Sequence, residues 1–266
     1  MGTLVCFHAH PDDESMSTGG TLARASAEGH RVVLVIATDG DYGEMPDDLA
    51  EGETLVQRRR VETAASAAAL GVHRVEWLGY KDSGMTGWEQ NHDPDSFFQT
   101  PIEHAAERLA AILREEDADV LTVYDWHGNY GHPDHIKVHH VGHRAGELAE
   151  TPRVFEATVN RDHIIRMMEL ARQAGTPMMP DEEFDPHTGT DDGNPLGMSE
   201  AELTHAVDVS AFIEHKRESF RCHKSQVTDT GLFLQMPEEA FAAAFGTEWF
   251  IMKGAEPGLR PGWLFD

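Results

Sequence analysis

The chain has 266 residues, 40% of them hydrophobic and 26% charged, enough apolar content to bury a large core. Its 47 acidic and 21 basic residues leave a formal net charge of -26, an anionic surface that repels nucleic acid and acidic membranes. No apolar run approaches the ~18 residues of a bilayer-spanning helix, and Cys6 and Cys222 are too few for a disulfide framework.

The first strand begins within three residues of Met1, which leaves no room for a signal peptide. The expectation is a soluble, reduced, cytoplasmic protein without nucleic-acid or membrane partners; oligomeric state is not legible. Apolar runs rich in β-branched residues recur at Leu4–Phe7, Val32–Ala37, Val75–Leu78, Val120–Tyr124 and Val154–Val159. Helical patterns lie between them: Gly19–Glu28, the Ala-rich Glu53–Leu70 stopped by Gly71, Pro101–Glu116 and Asp134–Glu150. Alternating strands and helices predict a Rossmann-like, open, mostly parallel α/β sheet with helices on both faces. Thr176–Leu196, with four prolines and no periodicity, reads as a long loop or a lid. A helix over Ser210–Phe220, a polar turn Cys222–Gln226, a helix near Pro237–Phe245 and a strand Glu248–Met252 complete a smaller C-terminal lobe. One domain spans 1–266, its core at 1–160 and the loop and lobe at 161–266.

Ligands of such sheets bind outside the carboxyl ends of the strands, and there the polar clusters fall. The first strand breaks into His10-Pro11-Asp12-Asp13-Glu14, one imidazole and three consecutive carboxylates. Carboxylates buried side by side need a cation or hydrogen bonds. Nitrogen and oxygen donors without a thiolate suit a catalytic divalent metal of zinc type. His10 and Asp13, three apart, can converge on one ion, which leaves Asp12 free to act on water; Glu14 either supports them or caps a helix. After the fourth strand comes Tyr130-Gly131-His132-Pro133-Asp134-His135. Pro133 suits a first helical turn, so His132 and His135 share one helix face, and His135 is the third ligand expected. His139, His140 and His143 continue down the helix; they read as a solvated face, with a metal-binding stripe as the competing possibility. His8 reads as a satisfied core histidine, and His30, His73, His104, His163, His187 and His205 as surface. HExxH, GxSxG, a Walker loop and a dinucleotide fingerprint are all absent.

The paired motifs His10–Glu14 and His132–His135 resemble the LmbE/PIG-L family of zinc-dependent N-acetylglucosaminyl deacetylases, over about the first 160 residues. Leu78–Met85 and Tyr130 are most similar to its mycothiol-pathway branch, which comprises a deacetylase and an amidase. Ser17, where the amidase carries lysine, leans toward the deacetylase. The resemblance implies zinc (or iron(II)) on His10, Asp13 and His135, with Asp12 as general base. It implies Tyr130 and His132 as electrophilic or acid groups, with Asp134 orienting His132. Arg59 and Asp82 would hold sugar or inositol hydroxyls, and His223, in His223-Lys224-Ser225-Gln226, matches a C-terminal family element that would also meet substrate. The expected reaction is hydrolysis of the N-acetyl group of a small GlcNAc-inositol-like substrate. The alternatives are an amidase on a larger glycoconjugate such as a mycothiol conjugate, or a non-catalytic sugar- or metal-binding protein.

Overall fold

Strand β1 (Thr3–His8) is buried along its whole length. Val5 and Phe7 join one hydrophobic cluster, Leu4 and Cys6 another. That period of two is what a strand covered on both faces requires. β2 (Arg31–Thr38) and β4 (Val120–Tyr124) pair in parallel with its two sides. β3 (Arg74–Tyr80) adds in parallel beyond β2, and β5 (Arg153–Thr158) beyond β4. The computed structural model describes residues 1–173, 185–188, 190, 192–226, 231 and 233–266. Among these the sheet order is β3-β2-β1-β4-β5-β7-β6-β8. β7 (Thr247–Met252) runs antiparallel to β5 and to β6 (His205–Asp208); the short β8 (Arg260–Pro261) is parallel to β6. The mostly parallel α/β sheet expected from the alternation is the architecture adopted.

The helices follow their caps. α1 (Asp13–Ser17) and α2 (Gly19–Ala27) come directly after the first loop. α3 (Leu55–Ala69) starts two residues later than expected, because Thr54 and Gln57 form a reciprocal capping box. α4 (Ile102–Glu115) buries Ala105, Ala106, Leu109, Ala110 and Leu113 as one stripe. A short turn α5 (Gly128–Gly131) precedes α6 (Pro133–Ala149), whose cap is His132. α4 and α6 pack on one face of the sheet; α2, α3 and α8 (Ile213–Cys222) pack together on the other. Phe220 of α8 meets Phe241 and Phe245 of α9 (Glu238–Phe245) in one aromatic cluster.

α7 (Arg161–Gln173) and β6 are among the elements that were not foreseen. α7 buries no residue, so its apolar stripe carried little weight. β6 has four residues and exists by pairing with β7. His205 is a correction to the surface reading: it is buried, beside Thr204 and edge-on to Phe155. Of the 176–196 loop, residues 176–184, 189 and 191 lie outside the described residues. Within the rest, Asp192 accepts from Thr190 and Asn194 and lies against Gly131.

The site follows from this order. β1 and β4 are neighbours, and the chain leaves one toward β2 and the other toward β5. The crevice at that reversal is where α/β sheets bind ligands. The loops after β1 and β4 carry the two motifs.

Candidate metal centre and active site

The β1–α1 loop brings His10 and Asp13 together, and α6 delivers His135 across from them. Asp13 bridges the imidazoles: one oxygen lies 3.4 Å from His10 Nδ1, the other 3.4 Å from His135 Nε2. Donors bound to one tetrahedral ion at ~2.0–2.1 Å lie roughly 3.3 Å apart. The tautomers implied by the partners agree. His135 Nδ1 lies 3.2 Å from the Gly128 carbonyl, so it donates there, and the buried Nε2 is left without a hydrogen bond. His10 Nε2 lies 3.2 Å from Asp134 Oδ2 and 3.6 Å from Asp82 Oδ1, which turns the Nδ1 lone pair toward Asp13. A carboxylate behind a histidine is the usual support of a metal ligand. These three residues could hold a divalent ion.

His132 is also close, its ring 4.6 Å from that of His10 and 5.1 Å from that of His135. His10, His132 and His135 together have ligand atoms near enough for one ion. The proton argues for another task. As the α6 cap, His132 accepts from the Asp134 amide through Nδ1 at 3.1 Å. In the neutral ring Nε2 then carries hydrogen and is a donor. Burial, with His10 and His135 nearby, holds the His132 pKa well below the ordinary histidine value.

Asp12 has φ +100, a conformation that costs a non-glycine residue of order 1–3 kcal/mol. Arg59 holds it there: Nη2 donates to the Pro11 carbonyl at 2.5 Å and to Asp12 Oδ2 at 3.0 Å, and Nη1 to the Gly40 carbonyl at 2.8 Å. Burial pushes the Asp12 carboxyl up to about 7, against the pull of Arg59. Burial works the other way on His10, but Asp82, Asp13 and Asp134 outweigh it and raise its pKa well above the usual value. Without a metal ion, this cluster of acids draws a proton onto His10; a divalent cation answers the same demand.

Three expected roles meet different partners. The Asp134 carboxylate bonds His10 Nε2, the Ser83 amide at 2.9 Å and the Ser83 hydroxyl, while only its backbone amide reaches His132. Both Nη atoms of Arg59 serve the protein's own loops rather than standing open to a sugar. His223 is wholly buried and bonds Glu14 Oε1 at 2.7 Å, because the turn after α8 tucks under the first loop. Asp82, by contrast, lines the cavity, fixed by the Gly84 amide at 2.8 Å. The His139 stripe already has partners: His139 Nδ1 donates to the Tyr124 carbonyl at 3.0 Å, and His143 Nε2 meets Glu156 at 2.7 Å.

Sequence reasoning missed Ser83, which lay in the motif Leu78–Met85, and Tyr124, which stacks on His135 with ring centroids 4.5 Å apart. A backbone turn also went unseen. Gly128 has φ +65, and a Cβ there would stand 2.3 Å from His135 Cβ, so glycine is what lets α5 approach the imidazole. The cavity has a volume of about 490 Å³ and is lined by His10, Asp12 and Asp82 together with Met85, Trp88 and Tyr130. Tyr42, Glu44, Phe220 and Gln226 also line it. Among the described residues no helix is long and apolar enough to cross a membrane.

Comparison with known proteins follows this geometry. The family model of the PIG-L GlcNAc-PI de-N-acetylases matches residues 5–145. The 1D-myo-inositol 2-acetamido-2-deoxy-alpha-D-glucopyranoside deacetylase of Thermobispora bispora is 37% identical, over 97% of this chain and 90% of its own. Among solved structures, the N,N'-diacetylchitobiose deacetylase of Pyrococcus horikoshii is similar in fold. It has TM-score 0.58 and 24% identity, over 94% of this chain and 83% of that one. The 4-carboxy-2-hydroxymuconate hydratase GalB of Pseudomonas putida is also similar, with TM-score 0.60 and 16% identity over 97% and 98%. A deacetylase and a hydratase on one fold mean that the reaction must be argued from the site. By family match and near full-length similarity, the chain belongs to the PIG-L family of GlcNAc-PI de-N-acetylases.

Proposed function

We propose that the chain hydrolyses the N-acetyl amide of an N-acetylglucosaminyl-inositol substrate, with zinc held by His10, Asp13 and His135. The observation that carries the reading is the buried His135 Nε2, without a hydrogen bond and facing Asp13, beside the cavity-lining Asp12 carboxylate that Arg59 holds. The substrate class is supported by the relative from Thermobispora bispora, which is named as a deacetylase of that compound. Two imidazoles and one carboxylate suit zinc with an open position; iron(II) fits the same donors. When bound, the ion supplies a Lewis acid that polarises the acetyl carbonyl and makes water more acidic.

The chain's own groups do the rest. Asp12, near pH 7 in its pKa, accepts the proton of the attacking water and returns it to the departing nitrogen as the C–N bond breaks. Acetate and a free amine leave. His132 stays neutral and offers Nε2–H to the developing negative charge, joined by the Tyr130 phenol, whose ring lies 6.2 Å from that of His132. Arg59 aims Asp12, Asp134 aims His10, and Asp82 presents oxygens to sugar hydroxyls. The same reading sets the protein in the cytoplasm, where the free Cys6 and Cys222 stay reduced.

The test is release of free amine from the N-acetylglucosaminyl-inositol, with and without a chelator. Turnover that vanishes with chelator and returns with added zinc or iron(II) is expected. No turnover, or turnover indifferent to chelator, would refute the proposal.

A further inference from the structure

Behind Asp12 lies a polar cluster that the proposed chemistry leaves unused. Glu14, Ser66, Ser219 and His223 are all wholly buried. Glu14 Oε2 accepts from the Asp12 amide at 3.0 Å, and Oε1 accepts from His223 Nε2 at 2.7 Å and from Ser66 Oγ at 2.5 Å. Ser66 Oγ in turn meets Ser219 Oγ at 2.7 Å, and Ser219 also bonds Ser15. A carboxylate stays buried only where donors satisfy it. Here the donors come from α3 and from the turn after α8, so a residue 209 positions further along the chain anchors the first loop.

The anchoring point matters because of what it holds. At φ +100, Asp12 keeps its backbone only while its surroundings over-determine it. Arg59 fixes the preceding carbonyl and the carboxylate, and Glu14 fixes the amide. We infer that Glu14, locked by His223, is a positioning residue that aims Asp12 into the cavity. The three consecutive acids thus divide into base, ligand and positioner, and His223 acts through Glu14 rather than on substrate. This inference rests on the deacetylase reading for the task it gives Asp12.

The test is kinetic and structural. Glu14→Ala and His223→Leu are expected to lower kcat about 10- to 100-fold, as misplacement of a reacting group does. KM should stay within about threefold of wild type, with metal content unchanged. His223→Gln keeps a side-chain N–H donor and is expected to recover most of the rate. If the cluster acts through Asp12, Glu14→Ala in an Asp12→Ala background brings no further loss; the full loss repeated there would overturn the inference. Should Glu14→Ala fail to fold, Glu14→Gln carries the same cycle. Crystal structures of His223→Leu and Glu14→Gln supply a readout free of activity. Asp12 is expected to leave positive φ or its Arg59 contact in them; Asp12 unmoved in both would sink the inference. A wild type inert toward the N-acetyl sugar would defeat the deacetylase reading and leave those structures to decide this one.

Discussion

The two edges of the sheet both carry clustered charges and use them oppositely. At the amino edge, Glu116 is held between Arg31 and Arg74, the latter at 2.6 Å, and Arg74 also reaches Glu115 and Glu76. The guanidiniums hold the Glu116 carboxyl down at about 2. At the carboxyl edge, Asp12, Asp13, Asp82 and Asp134 crowd three imidazoles with, among the described residues, a single guanidinium, Arg59, in contact. One edge is nearly balanced from within the chain, two guanidiniums to three carboxylates, and ties strands to a helix. The other is left short of positive charge, the condition for binding a cation and for keeping Asp12 poised to exchange protons. Where charge is unbalanced and buried, the fold has set stability aside for chemistry.

Substitutions can break that contrast. The largest effect is expected from Asp12→Ala, which should lower kcat by about 10²- to 10⁴-fold with the metal retained; rates near wild type would remove Asp12 as the base. His135→Ala should abolish stoichiometric metal binding by elemental analysis, since the remaining donors no longer enclose the ion; an unchanged metal content would shift attention to His132. Metal removal should then lower the melting temperature of wild type, by a linkage of about 3–4 kcal/mol at metal concentrations 10²–10³ times Kd. The His135→Ala protein should show no such response. Ser83→Ala loosens Asp134 behind His10 and should weaken metal affinity about 10- to 100-fold in a competition titration.

The smallest effect belongs to the amino edge, and it sharpens the comparison by leaving activity alone. Glu116→Gln should reduce stability by about 1–2 kcal/mol at pH 7, measured by denaturant, with kcat/KM unchanged. The Glu116 pKa is depressed in the folded protein, from 4.5 to about 2. Its contribution is therefore complete above pH ~4.5 and fades as pH falls toward ~2. The difference between variant and wild type should shrink across that window. A difference that instead grew in acid would contradict the assignment.

How much of this was written in the chain depends on distance along it. The parallel core was legible because Leu4–Phe7 and Val32–Ala37 must be apolar on both faces, and strands of that kind admit few architectures. The loop His10–Glu14 and the turn His132–His135 were legible as a site because residue types and short spacings encode local geometry. What only the tertiary structure decided were the partners brought from far away. Ser83 came to Asp134, His223 came to Glu14, and Arg59 turned from the sugar to the backbone of the Asp12 loop. The Asp134 carboxylate, which the family resemblance assigned to His132, reached His10 from across the crevice between β1 and β4. Hydrogen-bond partners are set by which segments the sheet order stacks together, a property of packing that no window of neighbouring residues contains.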